Sequence, residues 1–301
     1  MNILVTGGAG FIGKHLVRSL LEKDYLVTIF DNFSNSTKES ISSLVEMGAK
    51  IIEGDITKSH EVLNAVKDHE IIIHLAAKIS VSESISNPLD TFQVNVEGTK
   101  NILTACEKNN VKKLIVASSA AVYGEGTPNV KLIEESELNP ISPYGQSKVK
   151  MELVIKEFES KHNINCIMLR FFNIFGFGQS PEYAGVITKF IEKITQGKPL
   201  EIFGDGMQTR DFVAIEDVIS SIHNSIKFGK SGTYNIGNGK ITTIKDLAEL
   251  MISISGKKLE ITHIDSLKGD IRNSHADTSL AKKEIKYSPK FDLDKIKELL
   301  K

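Results

Sequence analysis

Residues 144 to 148 read YGQSK at the head of a helical run, so a phenol and an ammonium stand four residues apart. Positions i and i+4 share one helix face, which lets Tyr144 and Lys148 project into a single site. An ammonium a few ångströms away favours the phenolate, drawing a reference pKa of about 10 toward the working range. A tyrosine so placed is equipped to act as a general base. Taken alone, a tyrosine four residues before a lysine is more often the surface of an amphipathic helix.

A second chemical signal lies at the N-terminus. In TGGAGFIG, Gly8, Gly10 and Gly13 complete GxGxxG, and Gly7, Gly10 and Gly13 are spaced three apart, between a strand-like and a helical stretch. There, glycines allow a tight turn and let a pyrophosphate approach the N–H groups of a helix start. The next strand-like run ends in Asp31, about 20 residues on, where a carboxylate accepts hydrogen bonds from an adenosine ribose and repels a 2′-phosphate. That points to NAD rather than NADP. Asp55, in GDI after the third run, is by itself an ordinary turn residue.

These groups need a frame, and the first part of the chain supplies its rhythm. Apolar runs NILVTG, LVTIFD, AKIIEGD, EIIIHLAA and KKLIVASS alternate with helical stretches such as GKHLVRSLLEK and NVEGTKNILTACEKN. The pattern predicts an α/β fold, a doubly wound parallel sheet of the Rossmann type with a smaller C-terminal α/β substrate domain. Residues 1–170 are expected to form the NAD-binding domain and 171–301 mainly the substrate domain, with part of 211–238 returning to the first. Helices are expected near 185–196, 215–228 and 243–255, and TPNVKLIEESELNPISP reads as a surface connection.

Composition narrows the class further. The 301 residues are 41% hydrophobic and 25% charged, as in a soluble globular protein, and 37 basic against 38 acidic residues give no bulk reason to expect nucleic acid or membrane as partner. Cys106 and Cys166 lack metal-ligand spacing and sit in apolar surroundings, so reduced buried thiols and a cytoplasmic location are expected, with no metal. The apolar start is broken by glycines and lacks a basic leader.

Together, TGGAGFIG, HLAA (74–77), NVEGT (95–99), SSAAVYG (118–124), YGQSK, RFFNIFG (170–176) and TRDFVAIEDV (209–218) make the chain resemble, over nearly its whole length, the extended short-chain dehydrogenase/reductases. Within them it is similar to the NAD-dependent nucleotide-sugar epimerases related to UDP-galactose 4-epimerase. The resemblance implies Tyr144 as base, Lys148 as its electrostatic and ribose-binding partner, and Ser119 as a hydrogen-bond partner of the sugar hydroxyl. From the residues alone, Ser118 and Ser119 also read as a strand end satisfied by turn hydrogen bonds. The resemblance further implies a cofactor site of Gly7, Gly10, Phe11, Ile12, Gly13, Asp31, Asn32, Asp55, Ile56, Leu75, Ala76, Ala77, Lys78 and Asn95 with Tyr144 and Lys148. It places Asn173, Arg210, Arg272 and Ser274 with Ser119 on the UDP-sugar.

Arginine offers a diphosphate a planar fork, and only Arg18, Arg170, Arg210 and Arg272 exist to supply it. Arg210 and Arg272 fall in loop-like stretches, where pairing with Asp211 and Asp270 at the surface is the competing reading. Many relatives carry an arginine two residues ahead of the GD at 269–270, where this chain has Leu267, which weakens the equivalence of Arg272.

Relatives that eliminate water or decarboxylate carry acidic residues after the serine; here stand Ala120 and Ala121, which cannot move a proton. The resemblance then implies UDP-glucose/UDP-galactose 4-epimerisation through a 4-keto sugar. Ser274, at the position that gates the sugar pocket in the epimerase branch, is small enough to admit the N-acetyl group of UDP-GlcNAc. Alternatives are a UDP-glucuronate 4-epimerase or another nucleotide-sugar oxidoreductase, and, in a different class, an NAD-binding regulatory protein. A homodimer is expected through TFQVNVEGTKNILTACEKN and the Tyr144 helix, although both have apolar residues enough to be ordinary sheet-covering helices.

Overall fold

The computed structural model describes residues 1–179, 185–266 and 271–300. The five apolar runs become β1 (Asn2–Thr6), β2 (Leu26–Asp31), β3 (Lys50–Glu53), β4 (Ile71–His74) and β5 (Lys113–Ser119), followed by β6 (Asn165–Phe171). All pair in parallel in the order 3-2-1-4-5-6, and the strand Gly232–Ile236 closes the sheet beside β6. This is the Rossmann order.

A parallel sheet needs cover on both faces, and alternation along each strand divides the apolar side chains between them. Ile3 and Val5 of β1 join one core, with the helices Phe11–Leu21, Ile215–Phe228 and Ser279–Ile285. Leu4 points into the other, with the helices Ser59–Val66, Thr99–Lys108 and Pro143–Glu159. A third cluster, including Phe190, Leu200, Phe212, Leu247 and Met251, gathers the helices Val186–Gln196 and Ile244–Ser255 around short strand pairs. Among the described residues no helix is long and apolar enough to cross a membrane.

Two segments depart from the sequence reading. NVEGTKNILTACEKN does not form one regular α-helix: Gln93–Gly98 widens to a π-helix before the α-helix Thr99–Lys108 begins. A Cβ on Gly98 would lie 2.6 Å from Ile56 Cδ1, so this widened stretch packs close against the loop after β3. Such i→i+5 turns frequently mark functional positions. The 127–142 connection does run over the surface, yet it is pinned: Leu132 exchanges backbone hydrogen bonds with His275 and Asp277, and the Glu134 carbonyl accepts from Arg170.

The chain leaves β1 for β2 on one side and reaches β4 on the other. In open α/β sheets, the crevice beyond the strand C-termini at such a switch point receives ligands. The motif residues converge there.

Candidate active site

The glycine turn is built to be bare. Gly7 has φ +67°, and a Cβ on it would stand 2.6 Å from the Ala76 nitrogen. Gly13 is packed on the Gly7 carbonyl and Gly8, leaving no room for a side chain. Gly10 is the cap residue of the helix Phe11–Leu21 and offers no side chain to its first N–H groups. Those donors and the positive end of the helix dipole suit a pyrophosphate. Phe11 and Ile12 open this helix, the Phe11 ring meeting His15 edge-on.

Asp31 accepts from the Ala9 N–H at 3.0 Å and from the Phe33 N–H at 2.9 Å, so it also holds the turn in shape. Beside it Asn32 donates to Asp55, whose other oxygen takes the N–H and hydroxyl of Thr57, both at 2.8 Å. Burial works against the Asp55 charge, but the Thr57 and Asn32 hydrogen bonds hold its pKa below the ordinary value.

HLAA carries a fixed proton order. Thr99 Oγ1 donates its proton to the Asn95 carbonyl, so His74 Nε2, 3.0 Å away, must be the donor to Thr99. His74 Nδ1 therefore accepts from Thr6 Oγ1 at 2.7 Å, and Thr6 in turn accepts from the Ala76 N–H. Burial, with the Lys148 charge nearby, lowers the His74 pKa to about 3 and keeps the ring neutral. Leu75 donates to the Thr6 carbonyl, continuing the β1–β4 seam into Ala76 and Ala77.

Asn95, 1% exposed, spends its whole amide on protein. Its Oδ1 accepts from the Lys78 N–H, while Nδ2 donates to the Lys78 carbonyl and to Ser147 Oγ. It clamps the HLAAK loop to the Tyr144 helix. The Lys78 ammonium is 3.2 Å from Asp90 at the surface.

The helix Pro143–Glu159 starts on a Ser142 cap with proline in its first turn, a favoured N-terminus. Tyr144 is partly buried with Ser119 close enough to act on its hydroxyl, and the Ser119 oxygen accepts from the Ala121 N–H. The turn hydrogen bond expected of Ser119 is present, and the same residue lies beside the tyrosine. Lys148 is 3% exposed and donates to the Ala117 carbonyl at 2.8 Å.

Electrostatics correct one expectation. In the protein itself burial raises the Tyr144 pKa, with nearby Ser119 opposing it. Burial pulls Lys148 down to about 8, and Glu152 one turn along resists. The Lys148 ammonium donates to the Ala117 carbonyl, a contact that favours its charged form.

Around Arg210 and Arg272 the structure rearranges the expected pairs. Asp211 is fully buried and accepts from the N–H groups of Asn238, Gly239 and Ala276; burial pushes its pKa up to about 6 against those bonds. It is a joint between loops rather than a surface partner of Arg210, whose Nη1 donates to the Thr209 carbonyl. Arg272 forms a fork with Asp205 at 3.2 and 2.6 Å, both exposed, and holds that carboxyl down at about 2. Leu267, Gly269 and Asp270 lie outside the described residues. Glu125 accepts from the N–H groups of Arg272 and Asn273, fixing the segment that carries the buried Ser274. Asn173 begins the short strand Asn173–Phe175, its N–H bound to the Asp211 carbonyl.

Sequence reasoning passed over the support beneath this site. Glu152 and Arg170, each 1% exposed, form a two-pronged ion pair at 2.9 and 2.6 Å, completed by Ser118 on Glu152 and Tyr123 on Arg170. The i,i+4 spacing of Lys148 and Glu152 was the available signal. Among the described residues no cluster of His, Cys, Asp or Glu suits a metal ion.

A Rossmann sheet with a bare glycine turn, an aspartate ending the second strand and a Ser–Tyr–Lys set on β5 and the following long helix defines a short-chain dehydrogenase/reductase of the extended type. Residues 3–237 match the model of the NAD dependent epimerase/dehydratase family. The chain belongs to that family, and NAD is its cofactor. It is 39% identical over 295 residues to a putative UDP-glucose 4-epimerase of Methanocaldococcus jannaschii, covering 97% of this chain and 94% of that protein. Among solved structures it is similar to the UDP-glucose 4-epimerase of Thermotoga maritima with UDP-glucose (TM-score 0.94, 34% identity, 100% and 97% coverage). A UDP-N-acetylglucosamine 4-epimerase of Methanobrevibacter ruminantium in complex with UDP-N-acetylmuramic acid follows at TM-score 0.91 and 37% identity, covering 99% and 95%.

Proposed function

We propose that the protein is a UDP-hexose 4-epimerase that interconverts UDP-glucose with UDP-galactose and also accepts UDP-GlcNAc and UDP-GalNAc. The observation that carries this reading is the Lys148 ammonium held on the β5 carbonyl of Ala117 one turn from Tyr144, with Ser119 nearby and Ala120 and Ala121 directly after Ser119. A base is present for a hydroxyl proton, and the turn after Ser119 has no acid to drive elimination or decarboxylation. Gly7, Gly10, Phe11, Ile12 and Gly13 hold the pyrophosphate of NAD; Asp31, Asn32, Asp55 and Ile56 take its adenosine side, and Leu75, Ala76, Ala77, Lys78 and Asn95 border the nicotinamide half. When bound, NAD supplies reversible hydride acceptance, so no net oxidation results.

The chain's own part is proton handling and grip. Tyr144 as phenolate takes the C4 hydroxyl proton and later returns it, while Ser119 holds the same oxygen in place. Lys148 provides the positive charge and a ribose contact. Asn173 and Arg210 hold the nucleotide diphosphate, which leaves the sugar free to turn its other face. Arg272, engaged by Asp205, steadies the segment carrying Ser274 at the sugar pocket.

The test is conversion of UDP-Glc and UDP-GlcNAc in parallel by the purified protein, with C4 configuration read by NMR and UDP-glucuronate as a third substrate. Turnover of both hexoses is expected; turnover of UDP-glucuronate alone would overturn the assignment. Ser274→Tyr is expected to reduce the UDP-GlcNAc rate at least tenfold while sparing UDP-Glc, because the added ring fills the space an N-acetyl group requires. Equal effects on both would remove Ser274 from the pocket.

We also propose a homodimer through the groove between the two long helices, lined by Phe92, Val96, Val149 and Leu153, with Leu153 52% exposed. Light scattering is expected to give twice the chain mass, and a monomer at micromolar concentration would refute it. The two buried, unpaired thiols suit a reducing compartment such as the cytoplasm.

A further inference from the structure

Three successive residues of β5 each hold one residue of the Tyr144 helix. The Ala117 carbonyl takes the Lys148 ammonium at 2.8 Å and Ser118 Oγ donates to Glu152 Oε1 at 2.5 Å, while Ser119 lies beside Tyr144. Tyr144, Lys148 and Glu152 are spaced four apart, so they share one face over two helical turns. Two of the three contacts involve the residues proposed to handle the proton. The third, Glu152, is buried and bonded to Ser118 and Arg170, and has no part in the proposed chemistry.

We infer that Glu152 is a positioning residue of the reaction, setting the register of the Tyr144 helix on β5 and supplying the counter-charge to the Lys148 ammonium. This rests on the reading of Tyr144 and Lys148 given above. Glu152 is itself locked from the sheet side: Ser118 and Arg170 are direct cross-strand partners on β5 and β6, and both converge on its carboxylate. A carboxylate with three filled hydrogen-bond sites and 1% exposure cannot reorient, so the helix face it belongs to is held with it.

The charges around Lys148 explain why the position matters. From β4 comes His74, kept neutral by burial; from its own helix come Tyr144 and Glu152; from β6 comes Arg170, separated from it by Glu152. Glu152 is the carboxylate whose field reaches the buried lysine, and it favours the ammonium that burial disfavours. Without it Lys148 loses its proton at lower pH. Because activity needs the ammonium, the alkaline fall in rate must then begin earlier.

The test uses the full-length, NAD-loaded protein with lysine labelled at 13Cε. The Lys148 signal, assigned through Lys148→Arg, is titrated beside the pH–rate profile of UDP-glucose epimerisation. Glu152→Gln is expected to weaken proton binding by Lys148 roughly tenfold and to move the alkaline limb the same way, with Glu152→Asp displaced less. A rate lowered equally at every pH, with the Lys148 titration unmoved, would overturn the inference. If Glu152→Gln does not fold because Arg170 is left unpaired, the double variant Glu152→Gln/Arg170→Met removes both buried charges. A smaller displacement in the same direction is expected there, because removing the Arg170 charge offsets part of the loss, and an unmoved Lys148 titration overturns the inference. Should the wild-type protein epimerise no UDP-hexose, the proposed function fails, while the lysine titration still decides this inference.

Discussion

Tyr144→Phe is expected to lower kcat by about 10³-fold, within the range that a positioned general acid–base contributes. The substitution removes one oxygen, beside Ser119, and leaves the bond from the Tyr144 N–H to Ser84 Oγ and the Ser142 cap in place. The fold and the NAD content should therefore be unchanged. An interaction made only as the proton moves lowers kcat and kcat/KM together, with KM for UDP-glucose little altered. The pH dependence has a definite sign. Burial raises the pKa of the phenol, so the reactive phenolate grows as pH rises, until loss of the Lys148 proton near pH 8 reverses the trend. Steady-state rates from pH 6 to 10, with NMR detection of the C4 epimer, check both points. A fall of less than tenfold in the phenylalanine variant would mean that another group is the base.

The largest effect on stability is expected from Arg170→Met. Methionine fills much of the volume, but Glu152 then keeps a carboxylate at 1% exposure with Ser118 as its remaining partner, and Tyr123 and the Glu134 carbonyl each lose a donor. Breaking one side of a buried pair typically costs about 3–5 kcal/mol, because the orphaned charge stays desolvated. Urea unfolding should show a lower midpoint at unchanged m. Adding Glu152→Gln should return part of the loss, since no bare charge then remains. A loss below about 1 kcal/mol would show that water reaches the cluster.

The two variants act at different depths of one structure. Tyr144 lies in the cleft, whereas Arg170 lies inside β6, yet both are tied through the helix Pro143–Glu159. Activity and stability should separate accordingly, the first variant stable and slow, the second unstable.

Local patterns in the chain determined much of this protein. Strand-length apolar runs with helices between them specify a doubly wound sheet, because a parallel strand buried on both faces must be apolar throughout. GxGxxG before a helix and an aspartate after the second strand specify a dinucleotide site, because turn conformation and helix dipole are short-range properties. The four-residue spacing of Tyr144 and Lys148 specified a shared face. Tertiary structure decided what those groups experience. Asn95 became a clamp between Lys78 and Ser147, residues 17 and 52 positions away. Asp211 left the surface for a buried joint 65 residues from Ala276. Arg170 entered the core opposite Glu152, and Lys148 turned toward a carbonyl of β5. Burial and long-range pairing set these roles, and both depend on which segments meet in space, whereas composition and periodicity record only which residues follow one another.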